Sequence, residues 1–246
     1  MRHLIVSDLH GNLQALEAVA RDSAGRYDRA LCCGDLIGYC GDPNPVIDWV
    51  RANCSAVVRG NHDRACTGQE DLDWFNPVAR QAALWTQQSL TPENTDYVVG
   101  LPRGPLEVDG FELVHGTTFD EDEYVIGVDE AEHAFGYLQC RLAFFGHTHI
   151  QGGFIWNHSR VEIISRVASH CHRVLLEVDP ECAYLINPGS VGQPRDGDPR
   201  AAYVIYDSDA GVVAYHRVEY DVAAAQRSIR EAGLPPILAD RLSAGR

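Results

Sequence analysis

The sequence predicts an α/β fold with parallel strands, on three observations. A short apolar run that ends in a polar loop occurs three times before residue 65, and helical spacing follows the first two. From residue 142 onward, short strand-like runs dominate through Val218. The composition, 45% hydrophobic and 22% charged, is that of an ordinary globular chain able to bury a core.

The first unit is "HLIVS" (3–7), which ends at Asp8 and is followed by Gly11 and a helical pattern carrying Leu13, Leu16, Val19 and Ala20. The second is "RALCC" (29–33), which leads to "GDLIGYCGDPNP" and then to helical spacing in "VIDWVRANC". In the third, "SAVVR" (55–59) leads to "GNHD". Helical crossovers return a chain to parallel strands, and ligands of such sheets collect at the carboxyl ends of the strands. A helix is expected over 77–90, with Val78, Ala82 and Trp85 on one side, and a hairpin over 105–117 turning at Asp109 and Gly110. Residues 129–139 read as helical, and "VAAAQRSIREAG" reads as a closing helix stopped by Gly233 and Pro235. No repeat, low-complexity tract or linker divides the chain, so residues 1–246 read as one domain. The acidic stretch 118–132 is expected to be a solvated loop and helix start, with a lid as the alternative.

No apolar run reaches the roughly 20 residues of a membrane span, and the N-terminus lacks the layout of a secretion signal. A cytoplasmic protein without membrane contact is expected. Eight cysteines without a CxxC pair suit reduced, mostly buried thiols. The formal charge of −15 disfavours stable nucleic-acid binding, which depends on Lys and Arg displacing counterions. Phosphate chemistry in such a chain needs metal ions to reverse the local field.

Successive strand ends carry metal-type donors: Asp8 and His10 in "SDLHGN", Asp35 in "GDLIG", Asn61 and His62 in "GNHD", His115 in "LVHG", and His147 and His149 in "GHTH". Carboxylates and imidazoles without thiolates suit Mn, Fe, Zn or similar ions. The donors outnumber the needs of one ion, which points to two cations about 3.5–4 Å apart with Asp35 between them, one oxygen to each. Asp8 and His10, like His147 and His149, are two apart, a spacing that places both side chains on one face of an extended segment. Alone, "GHTH" reads equally as a polar loop and "SDLHGN" as a helix cap. Five such strand ends in one chain do not.

This ordered set resembles the calcineurin-like metallophosphoesterase superfamily, with matches from residue 6 to about 150. "NPGSVGQPRDGDPRAAY" (187–203) and "AGLPPILADRL" resemble a compact bacterial and archaeal branch of it. The resemblance implies a four-layer α/β/β/α sandwich, two mixed sheets flanked by helices, with a dinuclear site along one rim. It implies Asp8, His10, Asp35 and His149 on one ion and Asp35, Asn61, His115 and His147 on the other. A bridging water or hydroxide would attack phosphorus in line with the leaving group. His62 would stabilise the phosphate or protonate the leaving oxygen, and Asp63 would orient its ring.

Phosphoprotein phosphatases and the symmetrical dinucleoside tetraphosphatases read GDxVDRG and GNHE, whereas this chain has "GDLIGYC" and "GNHD". The missing arginine favours a phosphodiesterase or a broad phosphoesterase, and a small phosphate ester or nucleotide-like molecule is the expected substrate. A phosphomonoesterase or phosphoprotein phosphatase using the same metals, and a non-catalytic scaffold, are the alternatives. Arg195 in "GQPRDGDPR" could offer a forked donor to phosphate, against a turn with a surface salt bridge. Tyr39 could contact a leaving group or simply pack. "SHCHR" (169–173) has metal-like composition but follows no strand-to-glycine loop. Oligomeric state is left open.

Overall fold

A computed structural model describes every residue except Arg166, Ser169 and His170, and every side chain but theirs and that of Trp74. Two six-stranded mixed sheets stack face to face. In the first sheet, β1 (Arg2–Val6), β2 (Arg29–Cys32) and β3 (Cys54–Val57) run parallel, and β1 continues into antiparallel β11 (Ala201–Asp207), β12 (Val212–Val218) and β9 (Arg173–Glu177). In the second, a hairpin of β4 (Leu106–Val108) and β5 (Phe111–Leu113) lies beside parallel β6 (Leu142–Phe144) and β10 (Ala183–Asn187). Antiparallel β7 (Gly152–Trp156) and β8 (Val161–Ile164) complete that sheet.

Strand alternation sorts the apolar residues into layers. Ile5 and Leu31 face the second sheet and pack with Phe111, Phe144, Tyr184 and Ile186. Leu4 and Val6 face outward, onto α1 (Leu13–Ser23) and α2 (Pro43–Asn53) through Leu16, Val19, Val46 and Val50. On the far side, Ala143 and Leu185 meet Ala131, Ala134 and Phe135 of α6 (Val128–Phe135). β10 is buried along its whole length, so Ala183–Asn187 carries almost no polar alternation. The result is the helix–sheet–sheet–helix layering that the resemblance implies.

The β4–β5 turn falls at Asp109 and Gly110, both with positive φ (48° and 85°), as two-residue hairpin turns require. Helix α4 (Pro77–Ser89) and the late helix α7 (Val222–Glu231) lie where periodicity places them, and Gly233 takes φ +71° just beyond α7. Helix α6 is shorter than the expected 129–139, because the chain leaves the helix at Gly136. Among the described residues, three α-helices lie outside the expected ones, the short α8 (Pro236–Asp240) near the end and two earlier in the chain. α5 (Pro92–Val99) starts at a Thr91 cap with Pro92 in its first turn, and α3 (Asn61–Cys66) begins at the "GNHD" segment itself. A fourth apolar cluster joins α7 and α8 to Tyr39, Cys40 and α4. All eight cysteines are free. Among the described residues, no helix is long and apolar enough to cross a membrane.

Candidate metal centre

The loops that leave β1, β2, β3, β5 and β6 meet at one rim. Asp8, His10, Asp35 and His149 each present a ligand atom within 4.8 Å of the others, and Asp35, His115 and His147 do the same. Asp35 is common to both groups, and all six side chains are buried. Asn61 adds its amide oxygen 3.2 Å from His115 Nε2.

The paired ligands do not reach the site by extended alternation. Asp8, His10, Asp35, His147 and His149 have φ of 53°, 49°, 53°, 66° and 60°, the left-handed region that non-glycine residues seldom occupy. Five such residues at one rim form a concentration of backbone strain of the kind found at functional sites. His147 and His149 accordingly turn toward different groups. Close approach is also built in: a Cβ at Gly60 would overlap Asp35 Oδ1.

Each imidazole is pinned by a backbone carbonyl. His10 Nδ1 lies 3.1 Å from the Ile37 oxygen, His115 Nδ1 2.8 Å from that of Cys33, His149 Nδ1 2.6 Å from that of Gln193, and His147 Nε2 3.0 Å from that of Asp122. A carbonyl only accepts, so the nitrogen beside it carries a proton and, whenever the ring is neutral, the other nitrogen presents a lone pair. Those lone pairs converge on further acceptors. His10 Nε2 is 3.1 Å from His149 Nε2 and 3.6 Å from Asp35 Oδ2, and His115 Nε2 is 3.5 Å from the same oxygen. Asp8 Oδ2 and Asp35 Oδ2 are buried without a hydrogen-bond partner. Acceptors facing acceptors in a buried space call for cations, and carbonyl-pinned histidines are the usual outer support of a metal site. The residues present therefore fit metal ions.

Electrostatics agree. Burial holds His10 and His149 well below the usual imidazole value, pushes His147 down to about 3 and His62 down to about 4, so these rings are neutral at pH 7. His115 departs from this: burial acts to lower it, but the Asp35 charge 3.5 Å away outweighs burial and raises it to about 10. Burial also acts to raise Asp35, and the facing His115 and His62 hold it well below the carboxylate range instead. Asp8 is pushed by burial up to about 7, a rise that His115 offsets only in part and the Asp35 charge reinforces. In the metal-free site a proton on His115 thus supplies the positive charge that the buried Asp35 calls for.

Two expectations need correction. Asp35 does not offer one oxygen to each group: Oδ1 accepts the His62 backbone N–H at 2.9 Å, and Oδ2 faces both His10 and His115. Nor is Asp63 on the His62 ring. Its carboxylate accepts N–H bonds from Asp35 (3.0 Å), Leu36 (2.9 Å) and Gly60 (2.9 Å), while His62 Nδ1 has no partner. Asp63 is the third residue of α3, where its side chain turns back to the helix start. It thereby ties the Asp35 loop to the Asn61 loop.

His62 lies beside the donor groups, its ring 5.0 Å from that of His10 and 4.4 Å from that of Tyr39. Arg195 stands over the Tyr39 ring, with Nη2 3.4 Å from the Tyr39 hydroxyl and 3.2 Å from Gln193 Oε1. The ion pair of this segment joins not Arg195 but Asp196 to Arg217, and it is buried, both side chains at 0% exposure. Asn12 does cap α1, accepting from Ala15 N–H, so one loop serves both cap and site. Of "SHCHR", Ser169 and His170 lie outside the described residues.

The acidic stretch is not a solvated loop throughout. Glu121 is buried in ion pairs with Arg59 and Arg64, Arg64 also binds Glu70 and Asp122, and the Tyr124 ring stacks on His147 at 3.8 Å. Tyr124, Phe75 and the pinning carbonyls went unread in the sequence. Tyr124 and Phe75 lie in segments without motif, and a carbonyl has no side-chain signature.

The chain belongs to the calcineurin-like phosphoesterase superfamily, whose domain description matches residues 1–211. It is 41% identical to a metallophosphoesterase from Sphaerobacter thermophilus, whose crystal structure superposes with a TM-score of 0.87 over 100% of this chain and 99% of that one. An uncharacterized protein of Methanocaldococcus jannaschii is 36% identical over 249 residues, covering 98% of this chain and 97% of its own. A hypothetical protein of Pyrococcus horikoshii shares the fold at 16% identity, with a TM-score of 0.77 over 100% of this chain and 98% of its own.

Proposed function

We propose that this protein is a metal-dependent phosphodiesterase with a dinuclear centre. The observation that carries the reading is the pair of donor groups sharing Asp35, with four carbonyl-pinned imidazoles turning lone pairs inward. Asp8, His10, Asp35 and His149 would hold one ion, and Asp35, Asn61, His115 and His147 the other. The donor set suits Mn, Fe or Zn. When bound, such a pair supplies an activated water nucleophile and neutralises charge on the phosphoryl oxygens.

The chain's own residues supply the rest. His62, neutral in the metal-free site, can give a ring N–H hydrogen bond to a phosphoryl oxygen, and it can pass a proton to the departing alkoxide only after taking up a second one, which the charge of a bound phosphate favours. Arg195, held by Tyr39 and Gln193 rather than by a carboxylate, can bind a second phosphoryl oxygen. Asp63 fixes the spacing of the Asp35 and Asn61 loops through its three N–H bonds. A single arginine at the mouth fits the one negative charge of a diester.

The test is a comparison of kcat/KM for bis(p-nitrophenyl) phosphate and p-nitrophenyl phosphate on the Mn-loaded protein. Preference for the diester is expected. A monoester preference would move the protein to the phosphatases, and hydrolysis of neither would support a scaffold.

A further inference from the structure

We infer that the leaving arm of the diester is a flat, uncharged ring-bearing group of nucleoside type, received by a cleft that opens beside His62; this rests on the phosphodiester reading. The cleft holds about 370 Å³ and is bordered by Tyr39, His62, Phe75, Tyr124, Glu70 and Asp122. Asn61 and His147 of the donor groups line it as well, so the cleft opens directly onto the centre and a group that departs beside His62 has this space to enter. Aromatic faces and edges bound it. Phe75 stands edge-on to His62 at 5.1 Å, Tyr39 lies 4.4 Å from the same ring, and Tyr124 is laid against His147 while remaining 45% exposed. An exposed tyrosine braced on a buried ring at a site mouth offers a ready stacking surface.

The charge pattern narrows the class. Among the described residues lining the cleft there is no lysine or arginine. Two guanidiniums flank the lining: Arg195 stands at Tyr39, where it is placed to meet the phosphoryl group, and Arg64 is engaged by Glu70, Glu121 and Asp122. The charged edge is therefore carboxylate, which suits ring N–H donors and opposes a further phosphate on the leaving arm.

The experiment uses the metal-loaded full chain and two methyl phosphodiesters with the same kind of leaving alkoxide. One releases adenosine from its 5′-oxygen, and the other releases tetrahydrofurfuryl alcohol, which keeps the sugar-like ring and lacks the base. The kcat/KM ratio is expected to favour adenosine by about tenfold or more, the usual worth of stacking one base. Phe75→Leu and Tyr124→Leu, which keep apolar bulk and lose the flat ring, should each lower that ratio several-fold. A 3′-phosphate on the leaving adenosine should depress turnover, and Glu70→Gln should narrow that gap. Diester hydrolysis with a ratio near one, or a ratio unmoved by both leucine variants, would overturn this inference alone. Hydrolysis of neither diester would overturn the phosphodiesterase reading and this inference with it.

Discussion

Asp63 provides a sharp test, because a neighbour in sequence and a neighbour in space assign it different work. If it served the His62 ring, its loss would lower turnover and leave stability nearly unchanged. In the structure its fully buried carboxylate instead satisfies three backbone N–H groups, with Oδ2 accepting from Asp35 and Gly60 and Oδ1 from Leu36. A buried donor left unpaired costs about 1–3 kcal/mol. Asp63→Ala strands three donors, a gross cost of roughly 3–9 kcal/mol that water entry reduces. Asp63→Asn with its amide oxygen in the Oδ2 position strands only the Leu36 N–H, or about 1–3 kcal/mol. Urea unfolding of the metal-free proteins should therefore rank wild type above Asn and Asn above Ala, with at least about 3 kcal/mol lost in the last. Metal affinity should fall in the same order, since the two loops no longer hold register. An alanine variant within about 1 kcal/mol of wild type would refute the reasoning.

His62→Ala should keep its metal content and lose about 10²–10⁴-fold in kcat, because the contact to Asp35 runs through the His62 backbone N–H and survives the substitution; metal analysis beside steady-state kinetics checks both halves. His216 stacks on Tyr203 at 4.7 Å, and burial, with Arg26 and Arg173 nearby, pushes it down to about 4 from 6.5. The unfolded chain then binds the extra proton first, so stability is lost as pH falls from 6.5 toward 4, by at most about 3 kcal/mol from this residue. His216→Phe, which can keep the stack, should flatten that part of the pH–stability curve, and equal slopes for variant and wild type would contradict it.

The legible part of this site is the part made of side chains at the ends of apolar runs. Asp8, Asp35 and His115 stand where strand hydrophobicity stops, so pattern alone lines them up on one rim. Helix α3 escapes a sequence reading because Asn61–Cys66 is only six residues long, too short for periodicity to register. That omission misplaced Asp63, since adjacent helical residues point in different directions. The left-handed turns at Asp8, His10, His147 and His149 are equally hidden, because aspartate and histidine take positive φ more often than most residues but only at a minority of positions that sequence does not mark. The acidic stretch was read from its charge. Its buried Glu121 and its carbonyl contact to His147 depend on Arg59, Arg64 and β6, all distant along the chain.

The most direct test of the cation cage is an anomalous diffraction map of the manganese-loaded protein. Two peaks about 3.5–4 Å apart on either side of Asp35 Oδ2 are expected, each ringed by its own imidazoles. A single peak at saturating manganese, or peaks that leave Asp35 untouched, would contradict it.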